Sequence, residues 1–160
     1  MYKTIVLAYD GSIEGRAALR EGVLLGLRCR ARIHLLAVVA ETTGIKMAEG
    51  IHAGPMAHQQ TTYAAILQEA VDKLKALGVT VGAQLVDGEP AQAIAAYATQ
   101  VGADLVVVGH RKQSLLQRWW SGPTGAYLTD YLNCSLLIAR NVVSQEAFFQ
   151  EVEATVAAQA

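Results

Sequence analysis

The chain of 160 residues has little cysteine, little proline and few aromatic residues. Its two cysteines, Cys29 and Cys134, form no CxxC pair, which argues against a disulfide scaffold and against a zinc site. No apolar run approaches the roughly 18 residues of a membrane helix, and the short run before Asp10 is too short for a signal peptide. The formal net charge of −1 gives no overall attraction for nucleic acid. We therefore expect a cytoplasmic protein that neither enters a membrane nor binds nucleic acid.

The sequence does contain enough apolar residues, 52% of the chain, to build one buried core. Short apolar runs without inside/outside alternation recur along the chain, and segments with apolar residues at helical spacing lie between them. The predicted strands are residues 3–9, 33–40, 79–86, 105–109 and 135–140. Strands covered on both faces and alternating with helices predict an α/β fold, a parallel sheet with right-handed crossovers between helical layers.

Local signals place the helix ends. Ser12 is a suitable N-cap for a helix after the first strand, and Glu14 lies in its first turn, where a negative charge favours the helix dipole. Gly78 predicts the end of the second helix, and Pro90 predicts the first turn of the third.

Two further segments stand apart from the strand and helix alternation. Residues 41–57 are rich in glycine and form either a surface loop or a lid over a ligand. Near the C-terminus, apolar residues recur every four positions and predict a helix that docks on its own domain or on a second subunit. These apolar residues are Phe148, Val152 and Val156.

Two strand ends carry residues that suit a ligand site. Ligands of open parallel sheets bind outside the carboxyl ends of the strands, where the strand order reverses. Residues 9–12, YDGS, follow the first strand, and residues 108–112, VGHRK, end the fourth. The Asp10 carboxylate can accept hydrogen bonds from ribose hydroxyls or from the adenine amino group. The Asp10-Gly11 pair is equally ordinary turn chemistry, so both interpretations remain open.

The segment 109–125 combines glycines with basic residues. Gly122-Pro123 predicts a helix start, whose free N–H groups and dipole suit a phosphate group. The alternative is a solvated basic loop followed by ordinary helix-start residues.

Four motifs occur in the order expected for one known family. They are YDGS at 9–12, DGEPAQAIAAYA at 87–98, GADLVVVGHR at 102–111 and CSLLIAR at 134–140. As an ordered set over about residues 1–140, they resemble the universal stress protein family. The resemblance implies a five-stranded, doubly wound, three-layer α/β/α domain of the Rossmann-like, adenine nucleotide alpha hydrolase-like type. It implies a domain over 1–140 and homodimers formed through the last strand, residues 135–140. The apolar periodicity beyond this domain predicts a C-terminal helical extension over 141–160, which is a second candidate for contact between subunits.

The phosphate-binding motif of the family is incomplete in this chain. ATP-binding members carry G-x-x-G, nine residues, then G followed by Ser or Thr. Gly109 and Gly122 match, but Lys112 replaces the second glycine and Pro123 replaces the Ser or Thr. Proline removes both an N–H and a hydroxyl donor, whereas a lysine supplies a point charge to phosphate. Thr124 and Gly125 keep amide donors one and two positions later.

The half of the site that would surround the base and ribose matches the family better. By correspondence, Ala8, Tyr9 and Asp10 contribute from the first strand, Val38 or Val39 from the second, and Val108 with Gly109 from the fourth. Of all these positions and the phosphate motif, Asp10, Val39, Gly109 and Gly122 are the preferred ligand contacts. The resemblance therefore implies a non-catalytic stress-response protein that binds ATP or another adenine nucleotide, or whose ancestors did, with no metal except nucleotide-associated Mg²⁺.

Two other functions remain alternatives. One is a protein-interaction module that has lost its nucleotide, which the replacements at Lys112 and Pro123 favour. The other is a weak nucleotide hydrolase in which Asp10 and His110 act as an acid/base pair.

The remaining distinctive residues are interpreted as structural. His34 lies within a strand and is expected to be packed or hydrogen-bonded, and Cys134 is expected to be buried rather than reactive. His52 and His58 lack the spacing of a helical zinc pair. Trp119-Trp120 suit a core or a subunit interface.

Overall fold

The computed structural model describes residues 1–40, 54–109 and 128–159, and this part of the chain contains five strands and five helices. They follow the chain in the order β1 Thr4–Ala8, α1 Ile13–Cys29, β2 Arg32–Ala40, α2 Gly54–Ala76, β3 Val81–Gly88, α3 Pro90–Val101, β4 Leu105–Gly109, α4 Leu128–Tyr131, β5 Ser135–Ala139 and α5 Gln145–Gln159. None of the helices described is both long enough and apolar enough to cross a lipid bilayer.

The five strands form one sheet in the order β3-β2-β1-β4-β5. Every neighbouring pair is parallel, with Leu7 of β1 opposite both Leu35 of β2 and Val107 of β4. Strands β2 and β3 follow one another on one side of β1, and β4 and β5 follow one another on its other side. The point where strand order reverses therefore lies between β1 and β4. This confirms the predicted five-stranded, doubly wound parallel sheet.

Two hydrophobic cores lie on opposite faces of the sheet, because successive side chains of a strand point to opposite sides. On one face, Leu7 packs with Val23 of α1, Leu74 of α2 and Phe148 of α5. On the other face, the core contains residues from β1, β2, β4, α3 and α4, among them Val6, Leu36, Val106, Ile94 and Leu128. The molecule thus has the three layers that the sequence predicts.

The helix ends follow the local signals in the sequence. Ser12 caps α1 and its hydroxyl accepts a hydrogen bond from the Gly15 N–H at 3.0 Å. Pro90 lies in the first turn of α3, and Gly78 has a left-handed φ of +78° after α2. The Val79 N–H donates to the Leu74 carbonyl at 2.9 Å as part of this helix end. That bond explains why β3 begins at Val81 rather than at the predicted residue 79.

Helix α5 packs on its own chain. Phe148 and Val152 are 5% and 0% exposed and belong to the core that α1 covers. An ion pair between Arg28 of α1 and Glu151 lies beside this contact. The apolar stripe predicted for the C-terminal helix is therefore buried against the domain itself.

Candidate functional site

A shallow depression lies at the carboxyl ends of β1 and β4, at the point where strand order reverses. Its volume is about 30 Å³. This is the position at which open parallel sheets bind ligands. Its lining residues come from β1, β2, β4, α3 and the start of α1: Ala8, Tyr9, Asp10, Ser12, Glu14, Gly15, Val38, Ile94, Val108 and Gly109.

The Asp10 carboxylate organises the turn from β1 into α1. Its Oδ1 atom accepts hydrogen bonds from the Ser12 N–H at 3.0 Å and from the Ser12 hydroxyl at 2.6 Å. The Ser12 hydroxyl in turn accepts from the Gly15 N–H, so carboxylate, hydroxyl and first helical turn form one chain of hydrogen bonds. Asp10 is therefore a turn residue in this structure, and the same carboxylate also lines the depression. The two interpretations left open by the sequence are compatible.

Two glycines allow the site to be compact. A Cβ at Gly15 would lie 2.4 Å from the Asp10 Oδ1, and a Cβ at Gly109 would lie 2.9 Å from the Glu14 carbonyl oxygen. Real Cβ atoms do not approach this closely, so any other residue would displace the carboxylate or separate β4 from α1. The absence of side chains at both positions sets the distance between the Asp10 turn and the end of β4.

The other side of the depression is apolar. Ala8, Val38, Val108 and Ile94 contribute to it from three strands and from α3. The sequence leaves a choice between Val38 and Val39, which point to opposite faces of the sheet. Val39 is the contact preferred from the sequence, but the structure places Val38 in the described lining, whereas Val39 is 1% exposed on the other face of the sheet.

Tyr9 lines both this depression and a larger cleft on the other face of the sheet. Burial raises the pKa of its phenol above the usual value, and the nearby Arg16 guanidinium opposes this rise. Since the phenol is protonated at neutral pH, it can donate as well as accept a hydrogen bond.

The described lining suits one part of an adenine nucleotide. Apolar walls fit the faces of a base, and a carboxylate at their edge can accept from ribose hydroxyls or from the adenine amino group. A volume of about 30 Å³ is far below the roughly 300–1,000 Å³ of typical ligand pockets, so the described residues alone do not enclose a nucleotide.

Several residues that the sequence assigns to the site lie outside the part of the chain that the structure describes. The predicted phosphate-binding residues are Lys112, Gly122, Thr124 and Gly125, and all four fall in the segment 110–127. The same segment holds His110 and Trp119-Trp120. Of the predicted loop or lid at 41–57, residues 41–53 also lie outside the described residues, whereas residues 54–57 belong to helix α2 and not to a loop.

Sequence reasoning did not assign Ser12, Glu14, Gly15 or Ile94 to the site. Ser12 and Glu14 were identified only as helix-start residues, and Ile94 only as part of the apolar face of α3. A stronger signal was available for the first three, since a helix that starts directly after Asp10 must bring its first turn over that carboxylate. The position of Ile94 depends on how α3 packs on the sheet, which local sequence does not encode.

The remaining candidates have structural roles. The His34 Nδ1 lies 3.3 Å from the Tyr97 hydroxyl, which confirms a hydrogen-bonded histidine. Cys134 is half-buried, and burial together with the Asp104 carboxylate raises the pKa of its thiol, as expected for an unreactive cysteine. Within residues 1–40, 54–109 and 128–159, no three His, Cys, Asp or Glu side chains come together as a possible metal site.

Comparison with known proteins gives a consistent result. A family model described as the universal stress protein family matches residues 1–140. A crystal structure of a universal stress protein in complex with cAMP is 26% identical, with a TM-score of 0.60 over 87% of this chain and 97% of that chain. No curated protein matches the chain significantly.

Two more distant structures share the fold. Universal stress protein UspA from Lactobacillus plantarum is 23% identical, with a TM-score of 0.65 over 87% of this chain and 98% of that chain. A family protein from Arabidopsis thaliana with AMP bound is 18% identical, with a TM-score of 0.54 over 87% and 92% of the two chains. Because the family model covers residues 1–140 and the fold agrees, this chain belongs to the universal stress protein family.

Proposed function

We propose that this protein binds an adenine nucleotide at the carboxyl ends of β1 and β4 and acts as a non-catalytic, regulatory stress-response protein. The observation that carries the proposal is the Asp10 carboxylate beside the apolar walls of Val38 and Val108, at the point where strand order reverses. The base would lie against the apolar walls and the ribose near the carboxylate.

The comparisons support the ligand class. The 26% identical universal stress protein was crystallised with cAMP, which contains the same adenine and ribose that the described half of the site suits. The unmatched phosphate-motif positions, Lys112 and Pro123, make a ligand with fewer phosphates than ATP the preferred expectation, because Pro123 lacks two phosphate donors.

Isothermal titration of the nucleotide-free protein with cAMP, AMP, ADP and ATP tests the proposal. We expect saturable binding, one ligand per chain, with cAMP or AMP bound more tightly than ATP. Absence of binding by all four ligands at millimolar concentration would contradict it and would favour the nucleotide-independent interaction module. Mass spectrometry of small molecules released on denaturation shows whether the purified protein already carries a ligand.

An Asp10→Asn variant tests the role assigned to the carboxylate. Asparagine keeps an Oδ1 acceptor for the Ser12 N–H and hydroxyl, so the turn should persist, while the negative charge is lost. We expect nucleotide affinity to fall roughly 10- to 100-fold, since a hydrogen bond to a charged group contributes about 1.5–3 kcal/mol. Asp72→Asn is the matched control, because Asp72 is exposed on α2 and does not line the depression. Equal affinity in both variants would remove Asp10 from the binding site.

The non-catalytic part of the proposal rests on the family, most of whose members have no established catalytic reaction. Incubation with ATP should give no sustained phosphate release above that of a buffer blank. Turnover that is lost in a His110→Ala variant would instead support the hydrolase alternative.

The proposal includes a cytoplasmic homodimer. Cys29 and Cys134 are free thiols, which fits a reducing compartment. Strand β5 is an edge of the sheet, and its Leu136, Leu137 and Ile138 are only half-buried in the single chain. An edge strand with apolar side chains is suited to pairing with a second copy.

A further inference from the structure

A second and larger cleft lies on the opposite side of Tyr9 from the nucleotide depression, between α1, α2 and α5. Its volume is about 340 Å³, within the range of small-molecule sites. Leu74 and Phe148 are 2% and 5% exposed and form part of its buried wall, and Leu19 and Leu77 continue the apolar lining. We refer to it below as the three-helix cleft.

The charged residues of the three-helix cleft are mostly basic. Arg16, Arg20 and Lys73 contribute three positive charges and Glu69 one negative charge, so the lining carries an excess of two positive charges. The Arg20 guanidinium is held in place, because its Nη1 donates to the Val143 carbonyl at 2.7 Å. The chain as a whole has a net charge of −1, so the net charge of this lining is opposite in sign to that of the whole chain.

One of these basic groups can turn toward a ligand at little cost. Lys73 pairs with Glu69 one helical turn away, and both side chains are more than half exposed. Exposed pairs of this kind contribute about 1 kcal/mol or less. A ligand carboxylate can therefore compete with Glu69 for Lys73.

The three-helix cleft is distinct from the nucleotide depression. Its apolar residues belong to the core that α1, α2 and α5 cover, whereas Val38, Val108 and Ile94 of the depression belong to the core on the other face of the sheet. Among the described residues, Tyr9 is the one that the two linings have in common.

We propose that the three-helix cleft binds a small amphipathic anion of the medium-chain fatty acid type, with its alkyl chain against Leu74 and Phe148 and its carboxylate near Lys73, Arg16 and Arg20. The adjacent rings of Phe148 and Phe149 are tilted by 50° with centroids 5.9 Å apart. They offer no flat slot for a planar aromatic body, which favours a flexible chain. The excess positive charge selects the anionic head group.

Isothermal titration with decanoate, below the concentration at which it forms micelles, tests the proposal. We expect one saturable site per chain for decanoate, weaker binding for uncharged decanol, and the weakest binding for decylammonium. Acetate, which has the charge without the alkyl chain, should not bind. Equal binding of decanoate and decylammonium, or tighter binding of a planar aromatic carboxylate than of decanoate, would overturn the assignment.

Paired variants on α2 locate the site. Ala76 is exposed and lines the cleft, so Ala76→Trp fills it without disturbing the core, whereas Ala65→Trp places the same side chain on an exposed position outside it. We expect Ala76→Trp to lower decanoate affinity at least about tenfold and Ala65→Trp to leave it unchanged. Equal affinities in these two variants would place decanoate elsewhere.

Charge variants at the exposed pair test the head-group contact. Lys73→Gln should weaken decanoate binding about fivefold, and Glu69→Gln should strengthen it, because the competing carboxylate is removed. Both residues are exposed, so circular dichroism should show an unchanged fold. A loss of affinity in Glu69→Gln would contradict the proposed head-group position. The nucleotide titration is a separate measurement, so failure of one proposal does not decide the other.

Discussion

At the scale of single residues, small side chains determine which groups meet. Gly15 brings the Asp10 carboxylate against α1, and Gly109 brings the end of β4 against the Glu14 carbonyl. Gly22 allows α1 to pack closely on β1 in the core, because a Cβ at this position would lie 2.4 Å from a methyl group of Leu7. Since helix interiors disfavour glycine by about 1 kcal/mol relative to alanine, close packing of α1 on β1 is the reason for glycine at this position.

His34 predicts a pH dependence of stability. Burial lowers the pKa of its imidazole, and the Arg32 guanidinium lowers it further. In the unfolded chain the pKa is about 6.5, so below that pH the unfolded state binds the proton more readily than the folded state. The stability that neutral His34 provides is therefore complete above about pH 6.5 and is lost as the pH falls toward the folded-state pKa.

Urea denaturation at neutral and at mildly acidic pH checks this expectation. The free energy of unfolding should decrease less on acidification in His34→Asn than in the wild type, because asparagine does not titrate and can still hydrogen-bond the Tyr97 hydroxyl. The difference between the two proteins is the relevant quantity, since every other ionisable group is the same in both. An identical pH dependence would show that His34 is not the titrating group.

At the scale of elements, helix α5 is an integral part of one core although it lies beyond the residues that match the family model. The match to the family model ends at residue 140, and α5 spans Gln145–Gln159. Its Val152 is fully buried and its Phe148 lines the three-helix cleft. The extension therefore covers the domain and supplies one wall of the cleft.

Removing apolar atoms from α5 should destabilise the whole domain. We expect Val152→Ala to lower the free energy of unfolding by roughly 1–3 kcal/mol, because it deletes buried methyl groups and leaves a cavity. Val142→Ala makes the same chemical change at a position that is 91% exposed, and its effect should stay within about 0.5 kcal/mol. Chemical denaturation measures both values, and equal effects would mean that α5 does not pack as described.

At the scale of the whole molecule, the two edges of the sheet differ. Strand β3 exposes Gly82, Ala83 and Gln84, whereas β5 presents half-buried Leu137 and Ile138. An apolar edge has more to gain from a second copy than a polar edge, because pairing there also removes apolar surface from water. This difference supports β5 as the proposed dimer edge.

Sedimentation analysis across the micromolar range tests the dimer. We expect the wild type to have the mass of a dimer, Ile138→Lys to shift toward the monomer, and Gln84→Lys on the β3 edge to remain dimeric. Circular dichroism establishes that the Ile138→Lys protein is folded. A monomeric wild type over the whole range, or dissociation by Gln84→Lys alone, would contradict an interface at β5.

The strands, most helix ends and the strand-end position of Asp10 can be predicted from the sequence alone, because they depend on local periodicity, turn chemistry and capping residues. The sequence also identified the family, through four motifs in a fixed order. The packing of the elements was needed to show that Val38 rather than Val39 lines the depression and that α5 docks on its own domain. It alone brought Arg16, Arg20 and Lys73 together around an apolar cleft. These features depend on which faces of separate helices and strands meet, and that packing is determined jointly by residues distant in sequence.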